Sequence, residues 1–513
     1  MPSKKSNHNH KSFIQPLKLL AQTYSNGAYS GTMNNITIKT IENIMLSTEL
    51  LSPAGSLKSL RYAYAYGADA VYAGQPRYSL RVRNNEFDLE ALATGINEAH
   101  AQGKKLYVVV NISPHNSKLK TFVQDMKEVI DLKPDALIMS DPGLIMMVRQ
   151  AYPHIDIHLS VQANAVNWAT VKFWRQQGLT RAILSRELSV EEIAEIRQAV
   201  PDMELEVFVH GALCIAYSGR CLLSGYMNKR DPNQGACTNA CRWKYDAHQA
   251  KETPEGDLVT FDPTALNSQP IAMTSGGCGS GGCGSSDSLT PLEERTARDE
   301  IFLLEEANRP GELMPAFEDE HGTYIMNSKD LRAIEQVQRL IDIGVHSLKI
   351  EGRTKSHYYV ARTAATYRAA IDAAHAGKGF DPQWLRELDG LANRGYTEGF
   401  LRRHRAPEDT QNYDTGSSVL THEQFAGEVI DISDSHITID VKNRFAVGDT
   451  LSLLMPGHSP HTFVLRDMLD NKNGKPIEVA SGSGHVMQIP RHHFPALVES
   501  NALRMGLLVR QFS

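Results

Sequence analysis

Residues 106–140 read LYVVVNISPHNSKLKTFVQDMKEVIDLKPDALIMS, and this stretch contains one strand–helix–strand unit. Leu106–Asn111 and Ala136–Ser140 are short apolar runs typical of buried strands, and Lys118–Asp131 has the apolar spacing of an amphipathic helix. A helix that connects two parallel strands of one sheet makes a right-handed crossover. The stretch therefore predicts an α/β fold built on a parallel sheet.

The same alternation extends in both directions from this unit. Further strand-like runs are Glu49–Ser52, Ala70–Ala73, Ile157–Val161, Ala182–Ser185, Leu205–Val209 and Ser347–Ile350. Segments with helical periodicity are Leu57–Tyr66, Leu89–Gln102, Trp168–Gln177, Val190–Val200, Lys329–Ile343 and Tyr358–Ala376. Eight such units favour a (β/α)8 TIM-like barrel over an open doubly wound sheet, and no strand is followed by GxGxxG or GxxxxGK[ST]. We predict this barrel for residues 47–380, with an irregular insert at about 246–300.

The segments that flank the barrel have a different character. Residues 1–46 carry lysines but no acidic residue before Thr40, and we expect either a disordered extension or a segment upstream of a true start at Met45. Residues 381–420 are polar and predict a connector. Short alternating strands separated by turns then predict a small all-β barrel domain over residues 421–513.

The composition excludes several classes of protein. The chain has 513 residues, of which 41% are hydrophobic and 22% charged, as in ordinary globular proteins. Its formal net charge of −6 excludes a protein that binds nucleic acid through overall charge alone. No apolar run reaches the roughly 18 residues of a membrane span, and six cysteines are too few for a disulfide scaffold. We therefore expect a soluble, cytoplasmic protein of two or three domains.

Four of the six cysteines lie close together in the sequence, immediately after the predicted strand Leu205–Val209. They are Cys214, Cys221, Cys237 and Cys241. Four thiolates can bind zinc or an iron–sulfur cluster, and the wide spacing favours the larger, cubane-sized cluster over a zinc knuckle. Cys278 and Cys283 lie instead in a Gly/Ser-rich stretch, which predicts unstructured thiols.

Polar residues follow most of the predicted strands, and in a parallel barrel they converge on one mouth. The candidate substrate-binding residues are Arg81, Arg83, Asn84, Gln162, Asn164, Arg186, Lys349 and Arg353. Four arginines at one mouth predict a carboxylate- or phosphate-bearing ligand, although two neighbouring acids, Glu187 and Glu351, could neutralise two of them. With His210, these two acids are also the candidates for a catalytic acid or base.

Basic residues alternate with aromatic residues between Arg394 and Arg405. Arg402, Arg403 and Arg405 are candidates for contacts to an RNA backbone, with neighbouring aromatic rings available to stack on unpaired bases. A solvated connector explains the same pattern equally well.

Residues 206–224, EVFVHGALCIAYSGRCLLS, resemble the signature of the collagenase-like peptidase family U32. SPAG at Ser52, SVQAN at Ser160 and KIEGR at Lys349 agree with this resemblance, which covers roughly residues 48–512. One branch of the family takes part in prephenate-dependent hydroxylation of the wobble uridine of tRNA to 5-hydroxyuridine, the first step toward 5-carboxymethoxyuridine. The resemblance implies a 4Fe–4S cluster on the four cysteines, prephenate as co-substrate, and the tRNA anticodon region as partner.

Two other functions remain open from the sequence. The family name rests on a collagenase-like activity, so the main alternative is a peptidase, which could depend on a metal ion. The chain contains neither HExxH nor GxSxG, and a Cys–His210 pair would remove one ligand from the cluster. The third possible function is that of a cluster-bearing scaffold that delivers tRNA to another enzyme.

Overall fold

The computed structural model describes residues 48–75, 77–80, 85–213, 329–393, 395–402, 422–494 and 503–512, together with strands at 245–252, 258–260, 301–306 and 313–317. The extension predicted for residues 1–46 lies outside these ranges, and so do Cys278 and Cys283. None of the described helices combines the length and the apolar composition that crossing a bilayer needs.

Eight parallel strands form a closed barrel. The strands up to residue 350 are β1 (Glu49–Pro53), β2 (Ala70–Gly74), β3 (Lys105–Val110), β4 (Ala136–Met139), β5 (Ile157–Leu159), β6 (Arg181–Ile183), β7 (Glu204–Ala212), β8 (Tyr245–Glu252), β9 (Leu258–Thr260), β10 (Ile301–Glu306), β11 (Leu313–Phe317), β12 (Asp330–Arg332) and β13 (Ser347–Ile350). β1 to β7 pair in sequence order, and β13 pairs in parallel with both β1 and β7, which closes the ring. The predicted (β/α)8 barrel is confirmed, and all eight of its strands lie where the apolar runs predicted them.

Helices follow most barrel strands and cover the outside of the barrel. They are α1 (Leu57–Ala65), α2 (Leu89–Ala101), α3 (Asn116–Asp131), α4 (Pro142–Ala151), α5 (Trp168–Gln176), α6 (Val190–Ala199), α7 (Val337–Ile343), α8 (His357–His375) and α9 (Gln383–Asp389). Ser56, Asn167 and Ser189 cap α1, α5 and α6 by accepting a hydrogen bond from a backbone N–H in the first turn. The carboxyl ends of these strands are therefore joined to the amino ends of helices, so the connecting loops surround one mouth.

The chain just before the last barrel helices differs from the prediction. Residues 329–343 were expected to form one helix, but Asp330–Arg332 is a strand, and α7 begins only at Val337. β7 extends over nine residues, and its end pairs antiparallel with β12, with Leu331 opposite Gly211. This long-range pairing overrides the local helical propensity of the segment.

Two segments predicted as irregular contain regular structure. β8 and β9 occupy part of the predicted insert, in an antiparallel sheet of strand order β11–β10–β8–β9. The expectation of irregular chain is therefore wrong for Tyr245–Glu252 and Leu258–Thr260, because the pairing partner β10 lies beyond the polar window. The predicted connector at 381–420 contains α9 and a short strand, β14 (Tyr396–Thr397), which pairs with β12.

The C-terminal region is an antiparallel β domain, as predicted. Its strands are β15 (Glu423–Ile432), β16 (His436–Val441), β17 (Phe445–Ala446), β18 (Thr450–Leu454), β19 (His461–Val464), β20 (Leu469–Asp470), β21 (Val479–Ala480), β22 (Val486–Pro490) and β23 (Leu507–Gln511). Seven of them form one sheet of order β19–β18–β23–β15–β16–β22–β20. Within the described residues, the two edge strands β19 and β20 do not pair, so the sheet is a half-barrel around its own apolar core.

Polar and aromatic contacts hold this domain against two barrel helices. The Glu428 side chain is only 4% exposed, and its carboxylate accepts a 2.6 Å hydrogen bond from Lys58 Nζ of α1 and lies 3.1 Å from His357 Nε2 of α8. The rings of Tyr358 and Phe425 stack with their centroids 4.7 Å apart. The two domains therefore belong to one compact unit within Thr48–Ser513.

Candidate active site

The interior of the barrel contains an ionic network where TIM barrels usually pack branched apolar side chains. Arg181 Nη1 of β6 lies 2.6 Å from Glu49 Oε1 of β1 and 3.2 Å from Glu206 Oε2 of β7. Lys349 Nζ of β13 lies 2.8 Å from Glu206 Oε1, and Ser347 Oγ donates to Glu49. All five residues are at most 9% exposed. The network thus links four strands across the barrel.

Burial and charge set the protonation of this interior. Burial alone would raise the pKa of Glu49, but Arg181 more than offsets that effect and holds the pKa below its usual value. Burial lowers the pKa of Lys349, while Glu206 acts in the opposite direction. His158 lies against the Tyr107 ring, and burial together with Arg181 and Lys349 lowers its pKa, which keeps the imidazole neutral. Lys349, predicted to bind substrate, is therefore engaged by Glu206 inside the barrel.

Two of the predicted arginines meet at the mouth above this network. Arg186 Nη2, after β6, lies 2.8 Å from Glu351 Oε2, after β13, and its guanidinium carbon lies 3.8 Å above the centre of the Phe208 ring. Arg353 is 8% exposed, and its Nη1 donates to Ser79 Oγ over 3.5 Å. Guanidinium groups at the mouth of a barrel can bind an anionic ligand through paired N–H donors.

Gly74, at the end of β2, makes room for the second of these arginines. A Cβ atom at position 74 would come within 2.3 Å of Arg353 Nη1. The pKa of Tyr72 is raised chiefly by burial and further by Glu351, whereas Arg353 and Arg186 lower it. Both guanidinium groups therefore lower the pKa of the same buried phenol, and the Arg353 guanidinium carbon lies 5.8 Å from the centre of the Tyr72 ring.

Glu187 and Glu351 have different surroundings, although each is close in sequence to an arginine. Glu351 pairs with Arg186, which is 165 residues away, and so joins two strands across the mouth. The Glu187 carboxylate accepts a hydrogen bond from Ser185 Oγ. Both carboxylates remain candidates for an acid or base at the mouth.

Gln162 and Asn164 follow β5 and lie at the same mouth. Ser160 begins a short 3-10 turn over Val161–Ala163, and Asn164 ends it in a left-handed conformation, with φ 51° and ψ 55°. Asn111, at the end of β3, donates through Nδ2 to Ser160 Oγ over 3.3 Å. The side-chain oxygens of Gln162 and Asn164 are buried and accept no hydrogen bond from any described residue.

His210 is not at the mouth, which corrects its assignment as a catalytic candidate. β7 contains a bulge, because Lys349 pairs with Phe208 whereas the next residue, Ile350, pairs with His210. The extra residue turns the imidazole outward, among the rings of Tyr359, Tyr367 and Tyr396. Burial, with smaller contributions from Arg332 and Lys355, lowers the pKa of His210 to about 3. The imidazole is therefore a neutral packing group, 1% exposed.

Several predicted site residues lie outside the described residues: Arg81, Arg83, Asn84, Cys214, Cys221, Cys237, Cys241, Arg403 and Arg405. Leu213, the residue before Cys214, directly follows β7, so the chain leads into the cysteine segment from the carboxyl end of a barrel strand. Arg402 is 52% exposed, and its Nε lies 2.9 Å from Glu398 Oε2.

Sequence reasoning missed the interior network. Glu49 and Glu206 were taken as parts of predicted strands with no further role, and Arg181 directly precedes the predicted strand Ala182–Ser185, so each of the three places a charge in or next to a buried strand. In a closed barrel, the side chain of a strand residue faces either the surrounding helices or the barrel interior. Both environments exclude water, so a charge there needs a partner. Charged residues of opposite sign inside predicted barrel strands were therefore the signal for an interior ion-pair network.

The chain was compared with protein-family models and curated proteins. The model "Peptidase family U32" matches residues 55–411, and the model "Peptidase family U32 C-terminal domain" matches residues 421–510. The chain is 59% identical to "tRNA hydroxylation protein P" of Escherichia coli over 91% of its own length and 98% of that protein. It is also 59% identical to the Haemophilus influenzae protein of the same name, over 85% of this chain and 92% of that protein. "23S rRNA 5-hydroxycytidine C2501 synthase" of E. coli is 28% identical over 79% of this chain and 52% of that protein.

Proposed function

The chain belongs to peptidase family U32, and we propose that it hydroxylates a tRNA base at the mouth of its barrel. The observation that carries this function is the 59% identity to proteins named for tRNA hydroxylation, over nearly the whole length of both chains. A more distant relative is named as an rRNA hydroxycytidine synthase, so RNA base hydroxylation occurs in more than one part of the family. The chain is accordingly an RNA hydroxylase.

Within this function we propose the wobble uridine as substrate and prephenate as co-substrate. Conversion of uridine to 5-hydroxyuridine replaces C5–H with C5–OH, which oxidises the base by two electrons: with water as the source of the oxygen atom, the reaction releases two electrons and two protons. Prephenate, as the co-substrate, would accept these electrons and protons and leave in reduced form. Prephenate carries two carboxylates, and Arg186 and Arg353 offer two guanidinium groups at the mouth. Guanidinium groups bind carboxylates in a planar, two-pronged geometry, so this pair supports a dicarboxylate ligand.

The donor set of the cysteine segment fits an iron–sulfur cluster. Cys214, Cys221, Cys237 and Cys241 offer four thiolates, the ligand set of a 4Fe–4S cluster, and the segment begins one residue after Leu213 at the carboxyl end of β7. Such a cluster, when bound, would supply one-electron transfer. The protein's own side chains bind and orient the substrates there.

The peptidase alternative gains no support from the described side chains. A cysteine peptidase needs an accessible histidine as base beside its nucleophile. His210 is instead enclosed by three tyrosine rings, and its pKa of about 3 reflects that burial.

Nucleoside mass spectrometry tests the proposed function. tRNA from a strain that lacks this protein should lose 5-hydroxyuridine and the nucleosides derived from it, and the wild-type gene should restore them. The strain must also lack any redundant pathway to the same nucleoside. If its tRNA still contained the same amount of 5-hydroxyuridine, the proposed function would be wrong.

The arginine pair provides a separate prediction. Arg353→Lys keeps the charge but removes the planar fork, so prephenate should bind roughly ten- to a hundredfold more weakly, the value of one hydrogen bond to a charged group. Arg186→Lys should weaken prephenate binding by a similar factor. Arg175→Lys is the matched control, because Arg175 is 41% exposed and pairs with Asp202 on the outside of the barrel. Calorimetric titration of prephenate measures the three dissociation constants, and equal values would exclude both mouth arginines from the ligand site.

A further inference from the structure

The loop Ser160–Trp168, here called the β5 loop, contains two buried hydrogen-bond acceptors. Gln162 Oε1 and Asn164 Oδ1 are shielded from solvent, and neither accepts a hydrogen bond from the part of the chain that the structure describes. Buried polar groups in folded proteins are nearly always paired, so an unpaired one requires an explanation. Two such oxygens two residues apart, at the mouth of the barrel, indicate a place for a ligand that donates hydrogen bonds.

The β5 loop is held rigidly enough to keep both oxygens in place. The Gln162 backbone N–H donates to Ser160 Oγ over 3.4 Å, and Ser160 Oγ also accepts from Asn111. On the other side, Ser185 N–H donates to Ala165 O over 3.2 Å, which ties the loop to the end of β6. Asn164 is one of two non-glycine residues with positive φ in the described chain. Strained backbone of this kind is typical of ligand sites.

The chemistry of the unpaired atoms selects between the two proposed substrates. Carbonyl oxygens repel carboxylates, so the two prephenate carboxylates belong with the arginines and not with these amides. Uracil presents one N–H donor, N3–H, between two carbonyl acceptors on its Watson–Crick edge. An amide side chain can accept from N3–H while its NH2 donates to a neighbouring carbonyl, as amides do on base edges.

Resting on the proposed function, we propose that Gln162 and Asn164 bind the uridine that is hydroxylated: one amide oxygen accepts from N3–H on the Watson–Crick edge of the uracil, the other accepts from a hydroxyl of its ribose, and Trp168 stacks on an unpaired base. Bases in single-stranded RNA loops leave that edge free for a protein to read. C5 does not lie on the Watson–Crick edge, so a ring held by that edge leaves C5 free to face the remaining walls of the mouth.

Trp168 gives independent support to a base-binding role. It is the first residue of α5, next to the capping Asn167, and it is 50% exposed. Helix α5 starts at the mouth, because it follows β5. Aromatic side chains in such positions are the usual stacking platforms for unpaired bases. Phe173 on the same helix is equally exposed, at 51%, but lies more than one turn farther from the mouth.

The first experiment measures binding of an anticodon stem-loop RNA to the iron-loaded protein. Trp168→Ala should weaken binding on the order of tenfold or more, the value of one stacked base, and Trp168→Phe should restore most of it. Phe173→Ala is the matched control and should bind like wild type. Equal affinity of the Trp168→Ala and Phe173→Ala proteins would overturn the stacking role.

The second experiment measures hydroxylation of stem-loops that carry either uridine or cytidine at the wobble position. Asn164→Gly keeps the left-handed backbone but removes the amide, and Gln162→Met keeps the length of the side chain. Each should lower kcat/KM for the uridine stem-loop roughly ten- to a hundredfold, and the variant that loses the contact to N3–H should also lose preference for uridine over cytidine, as the loss of one base-edge contact does. Prephenate affinity and iron content should not change.

The outcomes separate this inference from the function on which it rests. If the wild-type protein hydroxylates the uridine stem-loop and both amide variants match its kcat/KM and base preference, the base-reading role is wrong while the function stands. If the wild-type protein hydroxylates neither stem-loop nor intact tRNA, the proposed function fails, and the binding of the Trp168 variants still decides the stacking role.

Discussion

Replacement of any one of Cys214, Cys221, Cys237 or Cys241 with serine is expected to remove most of the iron from the protein and to abolish tRNA hydroxylation. Serine is a poor ligand for a soft iron–sulfur centre, and a cubane cluster held by three thiolates is labile. Iron content and the visible absorbance of anaerobically purified protein measure the loss without reference to activity. Activity is then read in a separate assay.

Cys278 and Cys283 provide matched controls for the four cysteines. Both lie in the Gly/Ser-rich stretch of the sequence, well separated from the group of four. Cys278→Ser and Cys283→Ser should therefore leave iron content and absorbance unchanged. A quadruple variant of the first four cysteines that still bound stoichiometric iron would show that the cluster assignment is wrong.

Arg181→Met is expected to destabilise the folded protein by about 3–5 kcal/mol, the cost of removing one partner from a buried ion pair. Arg181 is 3% exposed and lies 2.6 Å from Glu49 and 3.2 Å from Glu206. Methionine fills a similar volume, so the loss comes mainly from the uncompensated carboxylates. Urea denaturation measures the change in the free energy of unfolding.

The pH dependence of the same variant provides an internal check. In the wild type the pKa of Glu49 lies below its unfolded value, so its contribution to stability is present above that value and is lost as the pH falls. Without Arg181, burial raises the pKa of Glu49, and protonation then relieves the unpaired charge. The difference in the free energy of unfolding between variant and wild type should therefore be smaller at pH 4 than at pH 7.

Arg339→Met is the control for the loss of an ion pair as such. Arg339 pairs with Glu191 on the surface, where the two side chains are 51% and 60% exposed. Surface pairs of this kind contribute at most about 1 kcal/mol. If Arg181→Met cost no more than Arg339→Met, the interior network would not be a determinant of barrel stability.

The barrel could be predicted because the sequence signals of its strands and helices are local. Each of its eight strands is a short apolar run, and the Ser and Asn caps and the glycines after the helices mark the boundaries. Features that depend on distant partners could not be found in this way. Asp330–Arg332 resembles the start of a helix and becomes a strand only because the overlong end of β7 offers it an edge.

The same limit applies to the candidate site. Alternation along β7 puts His210 on the same side as Phe208, and only the bulge opposite Lys349 and Ile350 reveals that the imidazole faces outward. Arg186 and Glu351 were each assigned a role from sequence neighbours, whereas they pair with each other across the mouth. The convergence of Arg186, Arg353, Gln162 and Asn164 at one end of the barrel follows directly from the fold and was predicted.

The most direct test of the account is a reconstituted reaction. Iron-loaded protein, unmodified tRNA and prephenate are incubated without oxygen, and the nucleosides are analysed by mass spectrometry. We expect 5-hydroxyuridine at the wobble position, with one oxygen atom gained per modified tRNA, and none when prephenate is omitted or when Cys214→Ser protein is used. Loaded protein that binds both tRNA and prephenate yet forms no hydroxylated uridine would contradict the assignment of this barrel as a tRNA hydroxylase.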